Sequence, residues 1–324
     1  MWSFLEKGSI IIAPCKKTNC FRLADIVKFS QGFKTGADKV FVVYLVREEG
    51  GLLRVHSTAT GTEHQLESDI LRPLIKSEHM RRFEIRPTSL RLLFPYKVTS
   101  ETWRIFEQKE LGERYPNAWE YLQLARPFLD KRESGRFAGE HFYQYSRQQN
   151  FIPLSKAKLI TPDMADQMRF SFDGKGEFVF SDGAAGGVCV IPQQGIDPLL
   201  LMGILNSTLI EHQIRQKNGQ GFRGGYLNCE IRFLRDVPIQ LPKSSSQKKT
   251  AGEIVERVKR VLAKKNELQA PLIGDRDREQ LEREIETHEA QINELVRQLY
   301  RVDKTSDHLP SDNLAKLTGN RRKT

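Results

Sequence analysis

The basic, glycine-rich loop at residues 215–226, RQKNGQGFRGGY, carries the side chains best suited to contacting a charged polymer. Guanidinium, ammonium and amide groups bind phosphates and read base edges, and aromatic rings stack on bases. The loop therefore predicts contacts to nucleic acid. The candidates are Arg215, Lys217 and Arg223 for phosphate or guanine, Asn218 for adenine, and Phe222 and Tyr226 for stacking or packing.

A second cluster of aromatic and polar residues lies at residues 137–150. Rings interleaved with amide and guanidinium groups suit stacking and hydrogen bonding to nucleic acid. The alternative, which the sequence favours equally, is a packed loop whose tyrosines fill the core. The candidates are Arg147 for phosphate or guanine, Gln144 and Gln148 for adenine, and Tyr143 and Tyr145 for stacking or packing.

A third candidate is the glycine-flanked turn at residues 32–36, where Lys34 and Thr35 suit a phosphate contact. This turn is not a P-loop, because its glycines lack the GxxxxGK[ST] spacing. Taken alone, the turn favours an ordinary solvated loop over a phosphate site.

Several motifs of enzymes are absent from the chain. There is no GxGxxG, HExxH or GxSxG motif and no zinc-type spacing of cysteine and histidine. The Asn/Asp-Pro-Pro-Tyr/Phe motif, with which amino-methyltransferases hold a flipped base, is also missing. Its nearest match, Phe94-Pro95-Tyr96, lacks the polar residue and the second proline. Catalysis by this chain alone is therefore not expected.

The composition is that of a basic protein without membrane segments. The net charge of +10 in 324 residues suits a polyanionic partner. No apolar run approaches the roughly 18 residues of a spanning helix, and residues 1–6 do not resemble an export signal. The four cysteines stand without a CxxC pair. A cytoplasmic protein with free cysteines, no metal site and no membrane contact is expected.

The elements that must position these loops form a predicted α+β fold. Short β-rich runs predict buried strands at residues 40–45, 92–96, 158–162 and 188–192. Alternating residues around Asp173-Gly174 predict a β-hairpin over residues 168–180. Asp197 followed by Pro198 predicts the start of an apolar helix. These elements predict a mixed-sheet domain over residues 1–241.

The C-terminal part has a different character. Residues 242–252 include PKSSSQKKT and read as a linker. Apolar residues then recur at steps of three and four through residues 253–302, which predicts two helices packed as an antiparallel hairpin. The basic residues 303–324 read as a disordered tail.

A series of short motifs occurs in a recognisable order. The motifs are GFKTGADKVF at residues 32–41, LRPLI at 71–75, LFPY at 93–96, YSR at 145–147, KLITP at 158–162, GILNS at 203–207 and VPI at 237–239, followed by EAQINELVRQLY at 289–300. The chain resembles in this order the C-terminal specificity region of large adenine-N6 DNA methyltransferases. These include the fused type II restriction–modification enzymes and the methyltransferases of phage-exclusion systems.

The resemblance covers nearly the whole chain and implies a target-recognition domain that grips double-stranded DNA. It also implies a methyltransferase catalytic domain or subunit as partner, which would bind S-adenosylmethionine. The chain has no counterpart of that catalytic domain and no cofactor site of its own. It is therefore expected to be a fragment, a split gene product or a free-standing specificity subunit.

Three other interpretations stay open. A type I-style specificity subunit would also join recognition domains to helical spacers, but the chain shows no internal repeat. A nuclease or transferase with a scattered active site is a second alternative, and a basic protein–protein adaptor is a third.

Overall fold

The computed structural model describes residues 19–181, 186–217 and 225–302. Small antiparallel sheets and short helices form the main part, and two long helices close the described chain. The predicted α+β class with a C-terminal helical hairpin is confirmed. No helix among the described residues has the length and apolar character needed to cross a membrane.

Most strands of the described chain lie before residue 193. In order they are β1 (Cys20–Arg22), β2 (Val27–Gln31), β3 (Val42–Glu49), β4 (Leu52–Ser57), β5 (Glu63–Glu67), β6 (Leu71–Pro73), β7 (Met80–Arg81), β8 (Glu84–Ile85), β9 (Leu90–Leu93), β10 (Tyr96–Val98), β11 (Trp103–Ile105), β12 (Lys158–Pro162), β13 (Met164–Ala165), β14 (Ser171–Asp173), β15 (Gly187–Pro192), β16 (Leu227–Asn228) and β17 (Pro238–Gln240).

The helices concentrate in the second half of the chain. They are α1 (Leu23–Ile26), α2 (Asp38–Phe41), α3 (Gln108–Arg114), α4 (Pro116–Asp130), α5 (Phe151–Leu154), α6 (Pro198–Leu205), α7 (Thr208–Lys217), α8 (Ile231–Leu234), α9 (Ser245–Leu268) and α10 (Asp275–Tyr300). Two 3₁₀ turns add Ser68–Ile70 and Arg132–Gly135.

A four-stranded antiparallel sheet, in the order β14-β12-β15-β2, forms the centre of the fold. Pro162 at the end of β12 lies opposite Gly187, and Gln31 at the end of β2 lies opposite Val188. The C-terminal ends of β2 and β12 therefore meet at one end of the sheet, together with the start of β14 at Ser171. We call this end the loop edge.

A five-stranded antiparallel sheet, in the order β5-β4-β3-β9-β6, packs against helix α4. The buried Tyr121 of α4 donates its hydroxyl hydrogen to the carbonyl oxygen of Val40 at 2.7 Å and lies 2.7 Å from the Ser57 hydroxyl. Helix α4, helix α2 and the end of β4 thus meet at a buried polar contact. This contact fixes α4 over the sheet.

The helical hairpin of α9 and α10 belongs to the second hydrophobic core of the protein. Gly203 of α6 faces it so closely that a Cβ atom there would lie 2.8 Å from Ile254 Cγ2 and 3.1 Å from Val258 Cγ2. Ile254, Val258 and Ile292 are fully buried. Packing against α6 therefore holds the hairpin on the main domain.

The predicted linker at residues 242–252 is wrong over most of its length, because α9 begins at Ser245. The Ser244 hydroxyl accepts a hydrogen bond from the Gln247 backbone N–H at 3.2 Å, which caps the first turn. Ala251 is buried and extends the apolar stripe. The serines and lysines that suggested a linker form the cap and the solvated first turn of α9.

The predicted hairpin at residues 168–180 is also wrong, because β14 pairs with β12 and residues 177–180 form no ladder with it. The buried Asp173 carboxylate accepts hydrogen bonds from the backbone N–H groups of Gly176, Glu177 and Phe178 at 2.9, 3.1 and 3.0 Å. It also binds the Lys158 ammonium at 2.6 Å. These bonds occupy the donors that a returning strand would need.

Two of the cysteines are buried thiols. Burial raises the pKa of the Cys189 thiol to about 11 and that of Cys229 to about 12, which keeps both protonated at neutral pH. Cys20, in contrast, is disulfide-bonded, so the expectation of free cysteines is wrong for this residue.

Replacing Asp173 is expected to destabilise the protein strongly. Burial lowers the pKa of Lys158 and the Asp173 carboxylate opposes that shift, so Asp173→Ala leaves a buried ammonium without its partner. Removing one member of a buried pair costs about 3–5 kcal/mol. Urea unfolding checks this loss. The exposed neighbour Glu177 is the control, since Glu177→Ala should change stability by less than about 0.5 kcal/mol. Equal effects of both variants would contradict the prediction.

Candidate nucleic-acid interface

One predicted contact loop begins at the loop edge, and the ends of others are held near it. The turn at residues 32–36 follows β2, and β13 follows β12. The ladder of β13 with β16 brings in the end of the 215–226 loop, because Ala165 lies opposite Leu227. Only β15 separates β2 from β12. With neighbouring strands about 4.8 Å apart, the two groups of loops start roughly 10 Å from each other.

Residues 32–36 and 141–149 lie side by side. The backbone N–H of Arg147 donates to the Lys34 carbonyl at 3.1 Å, and that of Ser146 donates to the Thr35 carbonyl at 3.0 Å. Gly36 makes this approach possible, since it has φ of +72° and a Cβ atom there would lie 2.7 Å from Ser146 Cβ. Arg147 is exposed and Lys34 is half-buried. The structure thus brings these two predicted basic residues together.

Arg132 supports both loops from below, and no pattern in the sequence indicated this role. Its guanidinium donates to the carbonyls of Thr35 (3.0 Å), Gln144 (2.9 Å), Phe142 (2.6 Å) and Leu129 (3.0 Å). Burial lowers its pKa, and the ring of Phe137 lies 4.8 Å from the guanidinium carbon. A cation with its donors directed to backbone carbonyls therefore sits beneath Lys34 and Arg147.

The prediction that Tyr143 and Tyr145 stack on bases is wrong, because both rings are buried. Their hydroxyls donate to the carbonyls of Phe106 and Leu93, each at 2.6 Å. Burial raises the pKa of both phenols. The alternative interpretation of this cluster, tyrosines that fill the core, is the correct one.

Thr35 does not present its side chain to a ligand either. Its hydroxyl donates to the Asp38 carboxylate and accepts a hydrogen bond from the Ala37 N–H at 3.1 Å. With 2% of its surface exposed, it serves as a buried support for the start of α2. The predicted phosphate contact by the Thr35 side chain is therefore wrong.

Gln144 and Gln148 stay at the surface of the same loop. The Gln148 side-chain amide donates to Gln144 Oε1 at 2.8 Å, and both residues are half-buried. A pair of amides held together in this way presents a defined arrangement of donors and acceptors. Both residues remain predicted adenine contacts.

Arg215 holds the base of its loop in place. Nε and Nη2 donate to Glu211 Oε1 at 3.0 and 2.8 Å, Nη1 donates to the Gly225 carbonyl at 2.9 Å, and Nη2 donates to the Asp166 carbonyl at 2.5 Å. These bonds join α7, the far end of the loop and the end of β13. Arg215 is thus a positioning residue, and because its side chain is still 39% exposed, its contact with phosphate or guanine stays a prediction.

Tyr226 is half-exposed, at 50%, and Met164 on the paired strand is 37% exposed. An open ring beside the loop is consistent with the predicted stacking. Of the other candidates in this loop, Asn218, Phe222 and Arg223 lie outside the described residues, and Lys217 is described only as the last residue of α7.

The comparison with known proteins by sequence finds a restriction–modification enzyme. The chain is 24% identical over 295 residues to the type II restriction enzyme and methyltransferase RM.Eco57I of Escherichia coli. The matched residues make up 87% of this chain and 29% of that enzyme. The chain therefore spans less than a third of the length of this relative.

A search of solved structures finds the type IIG restriction endonuclease BpuSI, with a TM-score of 0.43 and 12% identity over 87% of this chain and 32% of that one. At this level of similarity, nothing about the present chain follows from it. No family model matches the sequence.

Replacing Gly36 is expected to separate the two loops. Gly36→Ala combines a positive φ with a Cβ atom 2.7 Å from Ser146, and an overpacked site typically costs about 1–3 kcal/mol. The matched control is Gly50→Ala, because Gly50 has φ of +56° but no atom within 4 Å of the position that a Cβ would occupy. Urea unfolding of both variants measures the difference. Equal losses of stability in the two variants would show that the approach to Ser146 imposes no constraint.

Proposed function

We propose that this chain is the DNA target-recognition part of an adenine-N6 DNA methyltransferase or restriction–modification enzyme. The sequence similarity to RM.Eco57I supports a restriction–modification protein that acts on DNA. The net charge of +10 supports a polyanionic partner. In this proposal the methyltransferase centre, with its S-adenosylmethionine, belongs to a partner domain or subunit.

The observation that carries this proposal is the convergence of three polar loops at the loop edge. Lys34 and Arg147 are joined through their backbones on one side, and Tyr226, the last residue of the 215–226 stretch, lies on the other. Target readers need cations that fix the phosphates and polar groups that reach base edges, and both must be mounted on a rigid frame. The loop edge offers both kinds of group within about two strand spacings of each other.

Selection of duplexes from a random DNA pool by the purified chain tests the proposal directly. Sequencing of the bound fraction should reveal enrichment of one short motif, since base contacts by Gln144, Gln148 and Arg223 would each favour particular bases. Salt-sensitive binding without enrichment would favour the basic adaptor instead. DNA cleavage or methyl transfer by the chain alone would favour the enzyme alternative.

Arg223→Ala should relax specificity at one position of that motif. A bidentate contact between arginine and guanine contributes about 1–3 kcal/mol of discrimination, so the variant should tolerate a wrong base there. Competition binding with duplexes that differ at single positions measures the change. If the variant keeps the base preference of the parent protein at every position, Arg223 does not contact a base.

The double variant Lys34→Met, Arg147→Met should weaken binding to all duplexes alike. The slope of log K against log salt should become shallower by about 0.9 for each phosphate contact removed. The matched control is Lys175→Met, because Lys175 is 81% exposed and lies beyond Asp173, at the opposite end of the same sheet. Fluorescence anisotropy over a salt series gives the slopes. An unchanged slope in the double variant would place the phosphate contacts elsewhere.

A further inference from the structure

A second basic group reaches the loop edge from the small hairpin of β7 and β8. Its turn packs on the four-stranded sheet, since the Phe83 backbone N–H donates to the Phe170 carbonyl at 3.0 Å, just before β14 begins. A Cβ atom on Gly187, at the start of β15, would lie 3.0 Å from the Met80 sulfur. Arg81 follows Met80 and is therefore held beside the ends of β12, β14 and β15.

This hairpin has an unusual backbone. Phe83 adopts φ of +59° although its ring is fully buried, a conformation that bulky residues rarely take. The neighbouring Arg82 binds Glu289 of α10 at 2.5 Å, and the two side chains are only 11% and 20% exposed. Packing on two sides thus maintains a strained turn, as is common at binding sites. The strain and the ion pair both fix the position of Arg81.

Two arginines and two carboxylates lie near Arg81, which together with its own guanidinium leaves an excess of positive charge. Burial lowers the pKa of Arg81, the nearby Arg86 and Arg169 lower it further, and Asp166 and Glu84 oppose the shift. Arg169 is ion-paired with Asp166. Arg81 Nε is buried, and within the described residues it has no hydrogen-bond partner. A buried guanidinium donor without an acceptor is costly, and an anion beside this arginine cluster would offset that cost through its charge.

Asp166 connects this group to the predicted recognition loop. Its carboxylate binds Arg169, and its backbone carbonyl accepts a hydrogen bond from Arg215, the positioning residue at the base of residues 215–226. An anion held beside Arg81 would therefore lie close to the base of that loop. Contacts to the DNA backbone at such a point fix the register of the reading side chains over the bases.

We propose that Arg81, Arg86 and Arg169 form a binding site for one phosphate group of the DNA backbone, next to the recognition loop. The proposal rests on the proposed function and adds a specific anchor to it. A phosphodiester group would lie against this arginine cluster and would offset the positive charge that Asp166 and Glu84 leave unbalanced. Charge-assisted hydrogen bonds between guanidinium and phosphate groups are short and strong.

The test uses Arg81→Met in the full chain, with the motif-bearing duplex from the selection as the probe. Affinity should fall about tenfold or more, equally for all sequences, and the salt slope should become shallower by about 0.9. The preferred motif should stay the same, since a phosphate contact carries no sequence information. Lys175→Met is again the control and should retain the affinity and slope of the parent protein.

A duplex series with single neutral methylphosphonates locates the contact. One position should weaken binding by the parent protein and have no effect on Arg81→Met, because the variant no longer binds that phosphate. If Arg81→Met unfolds, the exposed Arg86→Met supplies the same measurement at the same site. A folded variant with the parent's affinity, slope and methylphosphonate profile would overturn the proposal.

The outcomes separate this proposal from the proposed function. Enrichment of a motif by the parent chain with an unaffected Arg81 variant would contradict the phosphate site alone. Binding without enrichment, weakened by Arg81→Met with the shallower slope, would contradict target recognition and support the phosphate site. A parent chain that binds no duplex DNA would contradict both.

Discussion

The register of the central sheet is the constraint on which the candidate interface depends. Pro162 lies opposite Gly187 and Gln31 lies opposite Val188, so β12 and β2 run in the same direction and end together. A shift of one residue in either ladder would turn every side chain of that strand to the other face of the sheet. It would also move one group of loops along the strand axis by about 3.3 Å. The buried β15 between them, with its core residues 188–190 inaccessible, fixes both registers at once.

Three partly or fully buried cations show how differently this chain treats a charge inside the fold. Lys158 has a carboxylate partner in Asp173, which makes the pair a structural element. The Arg132 guanidinium donates to backbone carbonyls, which partly offset its charge. These hydrogen bonds hold two loops in place. Arg81 has a buried Nε without an acceptor among the described residues. The first two arrangements are complete within the chain, whereas in our proposal an anion from outside offsets the charge of the third.

The sequence predicted those features that depend on local patterns, and it failed where distant contacts decide. The fold class, the helix after Asp197 and the apolar stripe of α9 follow from periodicity and capping, which neighbouring residues determine. The hairpin at residues 168–180 failed because alternation does not reveal that Asp173 binds the N–H groups of the returning segment. The sequence could not decide the roles of Tyr143 and Tyr145, since aromatic rings are typical both of protein cores and of surfaces that bind nucleic acid.

The roles of Arg132 and Arg81 depend on packing between residues far apart in the chain, so no local pattern could identify them. The helical hairpin belongs to the same frame. Its apolar residues complete the second core, where Gly203 allows α6 to approach α9. It also binds the edge of the main domain directly, through Glu289 and Arg82. Because Arg82 lies between Arg81 and the strained Phe83, helix α10 helps to fix the proposed phosphate site. A helical arm used only to recruit a partner would not need to contribute both to the core and to the position of an arginine at the loop edge.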